Sequence, residues 1–141
     1  MPSVTLTRVV HFNAAHRYFR PEWSAEKNRE VFGACSDEHG HGHQYECHVT
    51  VSGDLQEETG MVSNLGELDR VLEEEITQAL DHRHLNQDVP EFAFGQQIPT
   101  TEALAVYIWR RVAPRLQPGA KLERVRVYED PLLYAEYDGS D

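Results

Sequence analysis

The chain has 141 residues, 40% hydrophobic and 26% charged, which suits one domain with a core of its own. Asp and Glu number 24 against 13 Lys and Arg, and the formal charge of -11 would repel a phosphate backbone, so no nucleic-acid partner is expected. No stretch approaches the roughly 20 apolar residues of a membrane span, and Met1-Pro2-Ser3-Val4-Thr5 carries no basic-then-apolar leader, so the expectation is a cytoplasmic protein without a membrane partner.

Val4, Leu6, Val10, Phe12 and Ala14 share one phase of a two-residue period, with Thr5, Thr7 and His11 on the other, and this predicts a first strand. His16 falls in the apolar phase, where a buried imidazole needs a partner: a metal, or a carbonyl in the case of a core histidine. From Arg17 to Phe32 the pattern dissolves into a mixed-charge loop with at most one helical turn. Arg20, Lys27 and Arg29 there are weak phosphate candidates.

The stretch Cys35-Ser36-Asp37-Glu38-His39-Gly40-His41-Gly42-His43 has a thiol followed by three histidines spaced by single glycines. Tyr45, Cys47, Val49 and Val51 continue the phase of His41 and His43, so a second strand beginning at His41 carries both imidazoles to its buried face. The glycines allow other chain segments to approach closely. Cys47 lies among apolar neighbours and reads as core. Beside metal-type histidines, Cys35 and Cys47 are expected to remain reduced.

Asn64 with Glu67 three residues on opens a helix whose stripe is Leu65, Leu68, Val71, Leu72, Ile76, Ala79 and Leu80. Glu73, Glu74 and Glu75 fall largely outside that stripe and read as a solvated face. The helix ends near Asp81-His82, a carboxylate and imidazole that fit an acid–base dyad and a helix cap equally well. After a loop from Gln87 to Pro99, Thr100-Thr101-Glu102 starts a second helix with Leu104, Ala105, Ile108, Trp109 and Val112 as its stripe. Lys121 to Glu129 alternates as a third strand, and Leu132 to Tyr137 supplies a fourth. Glu129 continues the inward phase of Val125 and Val127, where a carboxylate could meet the donor edge of a heterocycle or else turn to water.

Strands at both ends and helices between them predict an α+β domain spanning residues 1–141. Two helices cannot cover a four-stranded sheet on both faces, so association through sheet edges is expected. His16, His41 and His43 supply three neutral imidazoles from two strands, the ligand count of a catalytic zinc site with one position open. Cys35 could instead close a structural site, or act as nucleophile or base with Asp81-His82 as partner. The same glycine spacing admits His39 with His41 as the pair, and periodicity does not choose between the registers.

Phe12-Asn13-Ala14-Ala15-His16, Cys35 with His41-Gly42-His43, Met61-Val62-Ser63-Asn64-Leu65, Leu80-Asp81-His82, Pro99-Thr100-Thr101-Glu102 and Val127-Tyr128-Glu129 together resemble the 6-pyruvoyl-tetrahydropterin synthase family nearly end to end. The family includes the 6-carboxytetrahydropterin synthases of queuosine biosynthesis. The resemblance implies the tunnelling (T) fold, a four-stranded antiparallel sheet with two helices on one face, assembled as a homohexamer of two trimers with active sites between subunits. It implies 7,8-dihydroneopterin triphosphate as substrate and Zn2+ held by His16, His41 and His43, leaving His39 out. It further implies Cys35, Asp81 and His82 as the catalytic group, and Glu129, helped by Thr101 and Glu102, as the pterin-binding residues. Asp130 and Ala103 stand where the family often has Thr and Asn, departures that concern pterin positioning. Five residues separate Cys35 from His41, as in the pyruvoyl-forming enzymes, where the queuosine enzymes typically have three. The alternatives are the carboxy-forming enzyme and a non-catalytic zinc-stabilised binding module in which Cys35 is a fourth ligand.

Overall fold

The computed structural model describes residues 2–141. In chain order the elements are β1 (Ser3–His16), α1 (Ala25–Phe32), β2 (His41–Asp54), α2 (Leu65–Leu72), a π-helical turn (Glu73–Thr77) running into α3 (Gln78–Leu80), β3 (Arg83–His84), α4 (Leu85–Asp88), α5 (Thr101–Val112), β4 (Lys121–Asp130) and β5 (Leu133–Tyr137). The strands form one sheet in the order β3-β1-β2-β4-β5.

The expected antiparallel ladder is present in β1, β2, β4 and β5, and its register follows from the pleat. Phe12 lies opposite Tyr45, Val10 opposite Cys47, and Cys47 opposite Val127, so one face collects the apolar phase of each strand. Tyr45, Cys47, Val49, Val51, Val125 and Val127 are fully buried there, against Leu72, Ile76 and Leu80 of the α2–α3 rod and Leu104, Ile108 and Val112 of α5. Each such aliphatic side chain contributes about 1.5–3 kcal/mol when buried. Phe12 and Tyr45 stack at 4.9 Å between ring centroids. The α+β class holds, with the helices packed on one face of the sheet.

The sheet differs from the expected four antiparallel strands. Arg83 and His84 add a fifth, two-residue strand that pairs in parallel with Ala14 and Ala15 of β1. His82 makes this join, since its left-handed φ of 59° turns the chain after α3 and its N–H donates to the Asn13 carbonyl at 2.6 Å. β3 reaches only Ala14 and Ala15, so most of β1 remains an unpaired edge.

The helical content also exceeds the expected two helices. α1 is eight residues long, capped by the Ser24 hydroxyl accepting from Lys27 N–H and closed by Gly33 at φ 60°. It escapes an apolar-stripe search because the residue it buries is Asn28. Glu73 is exposed and Glu74 is 34% exposed, as expected of a solvated face, but Glu75 is not part of it. Glu75 is only 17% exposed and pairs with Arg111 at 2.7 Å and Arg115 at 3.0 Å, while Glu74 meets Arg115 at 2.9 Å. No helix among the described residues is long and apolar enough to cross a membrane.

Candidate metal centre and active site

β1 ends and β2 begins at one corner of the sheet, and antiparallel pairing sets His16 directly opposite His41, with His43 two residues further along the same face. The three imidazoles converge, their ring centroids mutually 4.9–5.0 Å apart. One nitrogen from each lies within 4.8 Å of the others, the arrangement of a metal-binding triad. His39 sits in the exposed turn before β2 and takes no part, so the pair in this cluster is His41 and His43.

His16 is completely buried, and burial, reinforced by His43 and then by His41 and His84, lowers its pKa to about 3. A neutral ring is the form that ligates a metal. Nε2 of His16 and Nε2 of His43 are buried without a hydrogen-bond partner. His43 Nε2 has the Glu129 carboxylate 3.1 Å away, whereas His16 Nε2 has no polar neighbour that close. Leaving it so costs about 1–3 kcal/mol, and a divalent cation fits the three-imidazole donor set. On the other side of the His16 ring, Nδ1 shares a 2.8 Å hydrogen bond with the hydroxyl of Tyr45.

Cys35 stands at the margin of this cluster. It lies in a short 3-10 turn (Gly33–Ser36), with Sγ 3.6 Å from Nε2 of His41. Burial, and then the carboxylates of Glu129 and Asp37, push its thiol pKa up. Cys47 is buried in the core, as its strand position requires, and both cysteines are free thiols. Glu129 comes in from β4 as the pleat predicts, with Oε1 3.1 Å from His43 Nε2 and 3.7 Å from His16 Nε2, and its side chain is 12% exposed. A cleft of about 620 Å³ runs from His43 and Glu129 over Gly42 to His11, Glu46 and Tyr128.

Gly40 explains how the turn can enter β2 so close to β1. It adopts φ 69°, and a Cβ there would collide with the His16 carbonyl oxygen. Gly42 is less demanding, because a Cβ would meet the Ala14 carbonyl at an ordinary 3.5 Å. The close approach expected of both glycines belongs to Gly40 within one chain.

The 17–24 segment covers the cluster from the other side. Tyr18 stacks on His16 at 4.4 Å between centroids, and its N–H donates to the Cys35 carbonyl at 2.7 Å. Burial and then Glu129, Cys35 and Glu102 raise its phenol pKa. The buried amide of Asn28 holds this segment, accepting from Arg20 N–H at 2.7 Å and donating to the carbonyls of Arg20 and Ser24 at 3.0 Å. Asn86 does the same for Arg17, accepting its N–H at 2.7 Å. Arg20 itself bonds the Gln96 carbonyl and Arg29 bonds Asp37. Sequence reasoning overlooked Tyr18, Tyr45, Asn28, Asn86 and His84. Only Tyr45 left a usable signal, because it shares the phase of His41 and His43.

The other expected site residues are placed apart from this group. Asp81 Oδ1 accepts the Asn13 N–H at 2.7 Å and Oδ2 lies 3.0 Å from His82 Nδ1, contacts that hold its carboxyl below the usual range. His82 is 81% exposed and faces a second cleft with Asn13, Gly42, His43 and His84. Within one chain no hydrogen bond joins Cys35 to Asp81 or His82. Thr101 is buried at the first turn of α5 and Glu102 is exposed beside it, and neither bonds the histidine cluster.

Comparison with known proteins gives a consistent result. The family model described as 6-pyruvoyl tetrahydropterin synthase matches residues 5–140. The 6-pyruvoyl tetrahydrobiopterin synthase of Drosophila melanogaster is 42% identical over 138 residues, 98% of this chain and 81% of that one. The human protein of the same name is 42% identical over 134 residues, 95% of this chain and 90% of its own. Among solved structures, Caenorhabditis elegans 6-pyruvoyl tetrahydropterin synthase superposes with a TM-score of 0.91 at 34% identity, covering 99% of this chain and 98% of that one.

Proposed function

Since the chain belongs to the 6-pyruvoyl tetrahydropterin synthase family, we propose that it converts 7,8-dihydroneopterin triphosphate to 6-pyruvoyl-tetrahydropterin with release of triphosphate. The observation that carries this reading is the convergence of His16, His41 and His43 beside a cysteine thiol, with Nε2 of His16 buried and without a hydrogen-bond partner. His16, His41 and His43 would hold zinc, which supplies Lewis acidity toward the side-chain oxygens of the substrate and makes the neighbouring C–H protons easier to remove. The ring donors suit zinc, and no sulfur belongs to the triad.

Cys35, at the rim, takes and returns a proton at the substrate side chain. It would do so as the thiolate, since only the deprotonated sulfur can accept a proton. His82, oriented and kept charge-balanced by Asp81, relays the second proton. Glu129 lies at the mouth of the cleft leading to the histidines, where its carboxylate can accept from the N–H edge of a pterin. Thr101 and Glu102 complete that edge in this reading. The C1′ carbinol is oxidised to a ketone as its hydrogens are returned across the C6=N5 bond of the ring, and loss of the C2′ proton expels triphosphate from C3′ to leave an enol that tautomerises to the second ketone, so no external oxidant or reductant is required.

The 81% exposure of His82, which makes no hydrogen bond to Cys35 within one chain, supports an active site shared between subunits of a homohexamer, a dimer of trimers in the tunnelling fold. The exposed His82 ring and the mostly unpaired edge of β1 are features such an assembly would cover. Incubation of the zinc-loaded protein with 7,8-dihydroneopterin triphosphate, followed by mass spectrometry, tests the assignment. The expected outcome is the pyruvoyl product with an equivalent of triphosphate. A 6-carboxy product, or unchanged substrate, would overturn it.

A further inference from the structure

Resting on the reading of His16, His41 and His43 as metal ligands, we propose that the Tyr45 hydroxyl is the positioning group that makes His16 a ligand through Nε2. Tyr45 and His16 are both completely buried, and the phenol oxygen lies 2.8 Å from His16 Nδ1. Nε2, the opposite corner of the same ring, has no partner. With Nδ1 engaged by the phenol oxygen, Nε2 is the corner left available to a metal.

A phenol suits this place for a reason that a carboxylate or a carbonyl would not satisfy. A phenol, unlike a carboxylate, brings no carboxylate charge to the centre. Its oxygen can both donate and accept. With the centre empty, O–H can donate to Nδ1. With a metal on Nε2, the tautomer is reversed, and Nδ1–H donates to the phenol oxygen. Nδ1 thus keeps a partner in both states, while Nε2, without a hydrogen-bond partner in the empty centre, gains one only when a metal binds. The Tyr45 ring is fixed by its 4.9 Å stack on Phe12, so the oxygen is held in position before metal arrives. Tyr45 acts through His16 and touches no substrate, which makes it a positioning residue.

The test is Tyr45→Phe, which keeps the stack on Phe12 and deletes the oxygen. Zinc affinity measured by chelator competition on the full chain is expected to weaken roughly 10- to 100-fold, the usual cost of deleting such a partner. The melting curve of the metal-free variant reports whether its fold is intact. In parallel, nitrogen-15 NMR of the zinc-loaded wild-type protein should show the His16 ring protonated at Nδ1 and metallated at Nε2. Wild-type affinity in a folded Tyr45→Phe protein, or His16 metallated through Nδ1, overturns the proposal. Failure of the wild-type protein to bind zinc at all would be a different result, and would remove the metal-centre reading itself.

Discussion

Sγ of Cys35 lies 3.6 Å from Nε2 of His41, yet the ligand triad is made only of histidines. In the proposed mechanism the thiol transfers a proton and is not a ligand. Cys35→Ala should therefore leave zinc content at one ion per chain while lowering kcat by roughly 100- to 10,000-fold, the range for removing a proton-transferring group. Elemental analysis and steady-state kinetics on the same preparation check both halves. Loss of zinc would make Cys35 a ligand and favour the binding-module alternative.

Gly40 and Gly42 flank His41, and they differ in what surrounds them. Gly40→Ala forces a side chain at φ 69° into the His16 carbonyl, so it should cost about 1–3 kcal/mol and also weaken metal uptake by moving β1 against β2. Gly42→Ala meets only ordinary contact within the chain and should leave the dissociated chain's melting temperature nearly unchanged. Equal losses in the two variants would show that His16 and His41 are not held together by this turn.

Asp81 gives an acid-limb prediction. Its carboxyl pKa is held below the ordinary value of 3.8, first by the Asn13 N–H and then by His82. The unfolded chain therefore takes up the proton before the folded one does. The stabilisation is fully present above the unfolded value and fades as pH falls toward the folded value. Thermal melts of the wild-type protein should lose stability more steeply below about pH 4 than those of Asp81→Asn. Parallel curves would mean that the Asp81 contacts contribute nothing to folding.

Much of the centre was legible because a strand with one buried face reports its side chains at every second residue. His41, His43 and Tyr45 share a phase with the buried Cys47 and Val49, and Glu129 shares one with Val125 and Val127. The zinc-type count of three imidazoles followed from that pleat. What escaped depends on contacts distant in sequence. Arg83 and His84 become a strand only because β1 offers an edge at Ala14 and Ala15. α1 buries a polar amide, Asn28, and so carries no apolar stripe to read. Glu75 leaves solvent because Arg111 and Arg115 arrive from and beyond α5. Tyr18 sits in a segment without periodicity and reaches His16 through the fold of its loop. Asp81 and His82 were legible as a pair, but the left-handed turn at His82 that exposes its ring was not.

The central claim is that three imidazoles, and no thiolate, hold the metal. Zinc-edge X-ray absorption on the zinc-loaded protein measures this directly. The account predicts nitrogen neighbours at about 2.0–2.1 Å, three of them imidazole, with no sulfur in the coordination sphere. A sulfur scatterer at about 2.3 Å, or a protein that emerges from zinc loading without the ion, would contradict it.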